Sequence, residues 1–122
     1  MKRTVIAAGT AALLLGMTVG VAAAAPAPAP AYTKQNLTTI LSQWTHWTPD
    51  ANDSSHAGTL NAGVNYFYCW TNGQSYYARE TGRTSSIWLL TDDDTGHRNV
   101  YVSETYLDAY GYANDTQILP HC

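Results

Sequence analysis

Residues 86–107 read SIWLLTDDDTGHRNVYVSETYL, two apolar runs joined by three aspartates, a threonine and a glycine. Both runs are rich in β-branched and aromatic residues, and Val100, Tyr101 and Val102 sit on alternating sides of an extended chain. The pattern predicts two strands, 84–91 and 99–103, with DDDTG at the tip between them. Asp side chains bond nearby backbone amides and Gly96 takes positive φ without steric cost, so the tip reads as a solvated turn. The competing reading is a metal site. A helix-loop-helix calcium loop needs oxygens at alternate positions and a distant bidentate Glu. Consecutive aspartates meet neither requirement, which leaves weak calcium binding at Asp92, Asp93 and Asp94 as the alternative. The expectation is no metal and no cofactor.

Working upstream, Val64 to Cys69 forms another aromatic, β-branched run, and Asn72-Gly73 follows it as a hairpin signal. Residues 74–79 then read as the returning strand, and Thr81-Gly82-Arg83 as a further turn. Short strands in succession, with no second helix, suggest a small closed β-barrel. Alternation puts Tyr66, Tyr68 and Trp70 on one face and Phe67 and Cys69 on the other. Ahead of the strands, Leu37, Ile40, Leu41 and Trp44 fall at i, i+3, i+4 and i+7, which predicts a short amphipathic helix within 34–47. Thr33 or Asn36 caps it and Pro49 ends it. Its stripe either packs on the domain or offers Trp44 and Trp47 to a partner. Residues 48–56 are polar and read as a loop.

The chain begins with Lys2 and Arg3, an apolar AALLLGMTVGV stretch and three small residues, Ala22 to Ala24. This is the pattern of a secretory signal peptide, 1–24, cleaved after Ala24. Residues 25–31, APAPAPA, carry proline at every second position and form an extended spacer. A helical extension and loop, 32–57, and a barrel, 58–122, complete the expected organisation. The apolar stretch is short for a membrane span, so no membrane anchor is expected. Without Lys2 and Arg3 the basic count falls from 6 to 4 against 9 acidic residues, a net charge of −5. That surface repels phosphate backbones and argues against nucleic-acid binding. Two cysteines in an exported chain, Cys69 and Cys122, are expected to pair.

The run from Gly58 to Cys122 resembles the small secreted SH3-like domains of actinobacteria. The resemblance is carried by GTLNAG at Gly58 to Gly63, Cys69, Asn72-Gly73-Gln74, the Gly82 to Ser85 turn, Trp88, TDDDTG, VYVSETYL and the closing Pro120-His121-Cys122. It implies a five-stranded SH3-like barrel that binds cell-wall material or peptide. The sequence departs from peptide-binding SH3 domains where a first groove tryptophan is Ile87, Trp88 matching the second, and where a groove proline is Ser103. Tyr106 keeps the matching aromatic.

His97 lies beside the tip, with Ser85, Ser86 and Ser103 on nearby strands, but no Gly-x-Ser-x-Gly elbow or other nucleophile setting is present. Catalysis is not expected, and His46, His56 and His121 lie in dissimilar segments. The unusual wealth is aromatic: nine Tyr, four Trp and one Phe. These rings either brace the N-terminal helix or form a platform for sugar or peptide. The platform would comprise Tyr66, Tyr68, Trp70, Tyr76, Tyr77, Trp88, Tyr101 and Tyr106. The expected function is that of a secreted, non-catalytic module binding peptidoglycan peptide or glycan. The alternative is an inhibitor or competition factor that binds another secreted protein through the helix and surface aromatics.

Overall fold

The structure is a computed structural model and describes residues 32–122. The expected signal peptide, 1–24, and spacer, 25–31, lie outside the described residues. Among the described residues, no helix is long and apolar enough to cross a membrane.

The protein is mainly β. Strands β1 (Gln35–Thr39), β2 (Gln43–His46), β3 (His56–Leu60), β4 (Gly63–Phe67), β5 (Cys69–Ala78), β6 (Arg83–Thr91) and β7 (Val100–Ser103) precede one helix, α1 (Ala109–Ile118). β1 pairs with β4 as a two-stranded sheet, and the other five form an antiparallel sheet in the order β3-β2-β7-β6-β5. The ladders do not close into a barrel: β3 and β5 stand at the two edges of the larger sheet.

The segment read as a helix is half of a bent hairpin. Thr39 stands opposite Gly63, and after three intervening residues on one side (40–42) and two on the other (61–62) the ladder resumes with Gln43 opposite Leu60. β1-β2 and β3-β4 therefore run alongside each other with little change of register. The helical spacing misled because the burial period is two: Leu37, Thr39, Gln43 and Thr45 are buried, whereas Ile40, Leu41 and Trp44 are exposed. Thr38, Thr39, Ile40 and Thr45 are β-branched and pack better on a pleated surface than in a helix. Residues 32–57 are thus part of both sheets and not an appendage.

Two further expectations change. Asn72-Gly73 is no hairpin turn; β5 runs through it, with a bulge between Asn72 and Tyr76. A Cβ on Gly73 would collide with the Pro49 carbonyl and lie 2.7 Å from Trp88 Cδ1, so this glycine serves the close approach of a loop. The β5-β6 hairpin turns later, at Gly82, whose φ of 70° suits glycine. A second correction is α1, for which no helix was expected. Asp108 caps it, accepting from the Gly111 amide at 2.8 Å.

The core unites Leu37, Leu60, Phe67, Leu89, Val102, Leu107 and Leu119, with Trp70, Ile87, Tyr112 and Ile118 packed against it. Phe67 and Cys69 point inward as alternation predicts. Cys69 bonds Cys122, with 5.0 Å between their Cα atoms, closing a separation of 53 residues. On the chain-entropy model such a loop stabilises by about 4 kcal/mol. It ties the chain end to β5, where Trp70 stands edge-on to His121, ring centroids 4.4 Å apart.

Candidate functional site

The three aspartates build scaffold. The Asp92 carboxylate accepts from the hydroxyls of Tyr66 (2.7 Å) and Tyr68 (2.6 Å) and from the Asn99 amide (3.0 Å). Asp93, its side chain fully buried, accepts from Thr45 Oγ1 at 2.6 Å, from the amides of Thr95 and His97, and from His97 Nδ1 at 3.1 Å. Burial opposes its ionisation, but these donors, Thr45 first, hold the carboxyl down to about 2. Asp94 accepts from the Asn61 amide at 2.8 Å. The turn reading holds, with Gly96 at φ 97°. Asp94, Thr95 and Gly96 at the tip are exposed, while the buried Asp93 side chain clasps the turn onto β2 through Thr45. Among the described residues, no group of three His, Cys, Asp or Glu side chains is placed to hold a metal ion.

The imagined Ser-His-Asp constellation falls into separate networks. His97 belongs to Asp93, Ser85 donates to Glu104 in a very short bond, and Ser103 Oγ meets Thr105 Oγ1 at 2.9 Å.

A cleft of about 270 Å³ opens elsewhere, lined by Ser42, Gln43, Trp44, His46, Ala51, Tyr76, Trp88, Ser103 and Tyr106. It exists because β2 and β7 part company. Their ladder consists of one pair, His46 opposite Tyr101, and the gap is walled by Gln43 and Trp44 on one side and Ser103 on the other. The loop after β2 closes one end. It is pinned to the β5 bulge by Gln74 N to Pro49 O (3.0 Å) and by Ala51 N to Gln74 Oε1 (2.8 Å). Trp88 is almost wholly buried, its indole N–H donating to Gln74 O at 2.8 Å, so it offers the cleft ring surface only. Trp44 is half exposed and stacks on His56 with centroids 3.9 Å apart.

The polar atoms here have assignable roles. Asp50 accepts from Ser55 Oγ at 2.5 Å and from Thr48 Oγ1 at 2.5 Å, bonds that keep its carboxyl below the ordinary range. Ser55 has one hydroxyl proton, and the charged acceptor takes it. Ser55 Oγ must then accept from His46 Nδ1, 2.9 Å away, so the His46 proton sits on Nδ1 and Nε2 carries a lone pair. Burial pushes the imidazole's pKa down against the pull of Asp50, which keeps His46 neutral. Tyr106 donates to Glu80 Oε1 at 2.8 Å and accepts from Tyr76 across 2.9 Å. Burial and these bonds raise the Tyr106 pKa, so it stays a phenol, and Tyr76 is left with free lone pairs. Gln43 is buried and its Nε2 has no partner.

Of the eight aromatics expected to bind ligand, the cleft brings together Tyr76, Trp88 and Tyr106. Tyr66 and Tyr68 converge on Asp92, with rings 5.7 Å apart, and Trp70 packs on the core. Tyr77 is exposed and Tyr101 half-buried, both away from the cleft lining. Gln43 and His46 were missed as site residues because their segment was read as a helix, in which Trp44 was named only as a residue for docking a partner. The chain matches no family model, no curated protein and no solved structure.

Proposed function

We propose that this chain is a secreted, non-catalytic binding module of SH3-like kind, and that its ligand is a cell-wall polymer held in the Trp44, Tyr76, Trp88, Tyr106 cleft. The observation that carries this reading is the lining itself: four aromatic rings, neutral polar groups and no charged side chain. Concave, mostly aromatic sites with a few directed polar groups suit ligand binding. Binding without chemistry is favoured because each serine near a histidine or carboxylate is already engaged in structural hydrogen bonds.

The test is retention on purified Gram-positive cell walls. The intact protein should sediment with the walls, and Trp44→Ala combined with Tyr76→Ala should remove most of that binding. Equal recovery of the variant and the parent would overturn the reading.

Exposed Ile40, Leu41, Trp44 and Trp47 favour a second reading, docking of another secreted protein. These residues lie in or beside β1 and β2, so deleting them would unfold the domain. Surface substitutions Ile40→Ser and Leu41→Ser separate the readings: wall binding should survive them, and protein docking should not.

A further inference from the structure

We infer that the cleft takes one N-acetylated sugar ring, with the Gln43 amide donating to the acetamido carbonyl and His46 Nε2 accepting from a ring hydroxyl. This rests on the reading of the cleft as the polymer site and names the group that it recognises.

Size comes first. A volume of about 270 Å³ lies just under the ~300 Å³ at which pockets for drug-sized ligands begin, and it matches a single ring. Charge comes next. The nine lining residues include no Asp, Glu, Lys or Arg, and His46 is held neutral, so a carboxylate or ammonium group would enter without a counter-charge. Peptidoglycan stem peptides carry such groups; the N-acetylglucosamine ring does not. Aromatic walls suit the apolar face of a hexose, while its rim of hydroxyls needs acceptors.

The donor and acceptor inventory then fixes the polarity of the ligand. His46 Nε2 is an acceptor, because the Asp50, Ser55, Nδ1 chain places the proton at the other nitrogen. Tyr76 is an acceptor, because its proton lies toward Tyr106. Both suit hydroxyl donors. Gln43 Nε2 is the opposite: a buried donor with no partner, on a residue only 8% exposed. An unpaired buried donor costs roughly 1–3 kcal/mol, which a ligand carbonyl would recover. A glucose ring has only hydroxyl and ring oxygens to offer, whereas the acetamido group brings a strong carbonyl acceptor. Its methyl has Ala51 as a small apolar neighbour in the lining. A peptide also has carbonyls, and β2 pairs with β7 only at His46, so the neutral peptide is the arm that tests strand addition in the gap.

The experiment titrates the full chain with two β-1,4-linked trimers, of N-acetylglucosamine and of glucose, and with N-acetyl-trialanine amide as a neutral peptide. Binding is read by amide and indole NMR shifts and by competition against wall retention. The acetylated trimer should bind at least tenfold more tightly than the glucose trimer and displace the protein from walls. Gln43→Met, similar in shape but without the amide, should abolish that preference. Equal binding of both trimers, an unchanged preference in Gln43→Met, or binding of the peptide alone each overturns the inference. Wall retention with no binding to either trimer overturns it too, while the wider wall-binding reading stands. Loss of wall retention and of all three ligands together removes both.

Discussion

Asp115 on α1 is the most consequential titratable group in the fold. It is 1% exposed, its Oδ1 accepts from the Thr116 amide at 2.9 Å, and its Oδ2 lacks a donor. Burial, with the Glu104 carboxyl beside it, pushes its pKa up to about 8. Arg83 does not offset these charges: its Nη1 donates to the carbonyls of Thr105 and Leu107, and its guanidinium lies over Tyr112 at 4.3 Å. The sign follows from linkage. A pKa raised in the folded state stabilises fully below the unfolded value, 3.8, and that stabilisation is lost as pH rises toward 8. The difference between 3.8 and about 8, at 1.36 kcal/mol per pH unit, sets a ceiling of about 6 kcal/mol.

Asp115→Asn removes the titration and keeps both the shape and the Thr116 bond. Part of the ceiling is retained in the variant, because the carboxamide is itself desolvated and Glu104 remains buried beside it. We expect the variant to be about 3 kcal/mol more stable than the parent at pH 8, with a difference that shrinks steadily toward pH 4. Urea unfolding followed by tryptophan fluorescence, at several pH values and with the disulfide intact, measures it. A difference that is the same at pH 5 and pH 8 would refute the reasoning, because simple loss of a contact does not depend on a proton.

Replacing Cys69 and Cys122 by serine should lower unfolding free energy by about 4 kcal/mol, read from the same denaturation curves. Asp93→Ala strands Thr45 Oγ1 and the Thr95 and His97 amides, and should cost about 2–3 kcal/mol at neutral pH. Because the folded pKa of Asp93 is depressed, that cost should fade as the pH drops from about 4 toward 2, which acid titration by circular dichroism would detect. Gly73→Ala would press Pro49 away from Trp88, costing roughly 1–3 kcal/mol and weakening wall retention; unchanged retention in a folded variant would show that this loop does not shape the cleft.

The strands 84–91 and 99–103, the inward Phe67 and Cys69 and the disulfide were legible because each rests on local pattern or on compartment chemistry. The N-terminal hairpin was not. In β1 and β2 the inward side chains are mostly Thr39, Gln43 and Thr45, so a hydrophobicity pattern is blind to them and follows the exposed Ile40, Leu41 and Trp44 instead. The β-branched content of that segment was the available signal. α1 was hidden by Gly111, where a Cβ would sit tightly, 3.2 Å from Leu107 and Asp108; the Asp108 cap was the clue. Asn72-Gly73 is a strong turn signal locally, and only the distant Pro49 overrules it.

A run of three aspartates is conspicuous because charge is rare in this chain, yet each of those carboxylates accepts from amide or hydroxyl donors of its own scaffold. The cleft reverses that logic: its atoms look unremarkable one by one, and become significant through what their partners leave free. Asp93 also links the two. It accepts from Thr45, whose neighbour His46 carries the lone pair that faces the cleft, and Thr45 in turn accepts from the Gly58 amide at 2.9 Å. β2 is therefore tied to the aspartate tip at Thr45, between the cleft-lining Trp44 and His46. The aspartate tip thus bears on where Trp44 and His46 stand, so loosening the clasp should alter the cleft before it unfolds the protein.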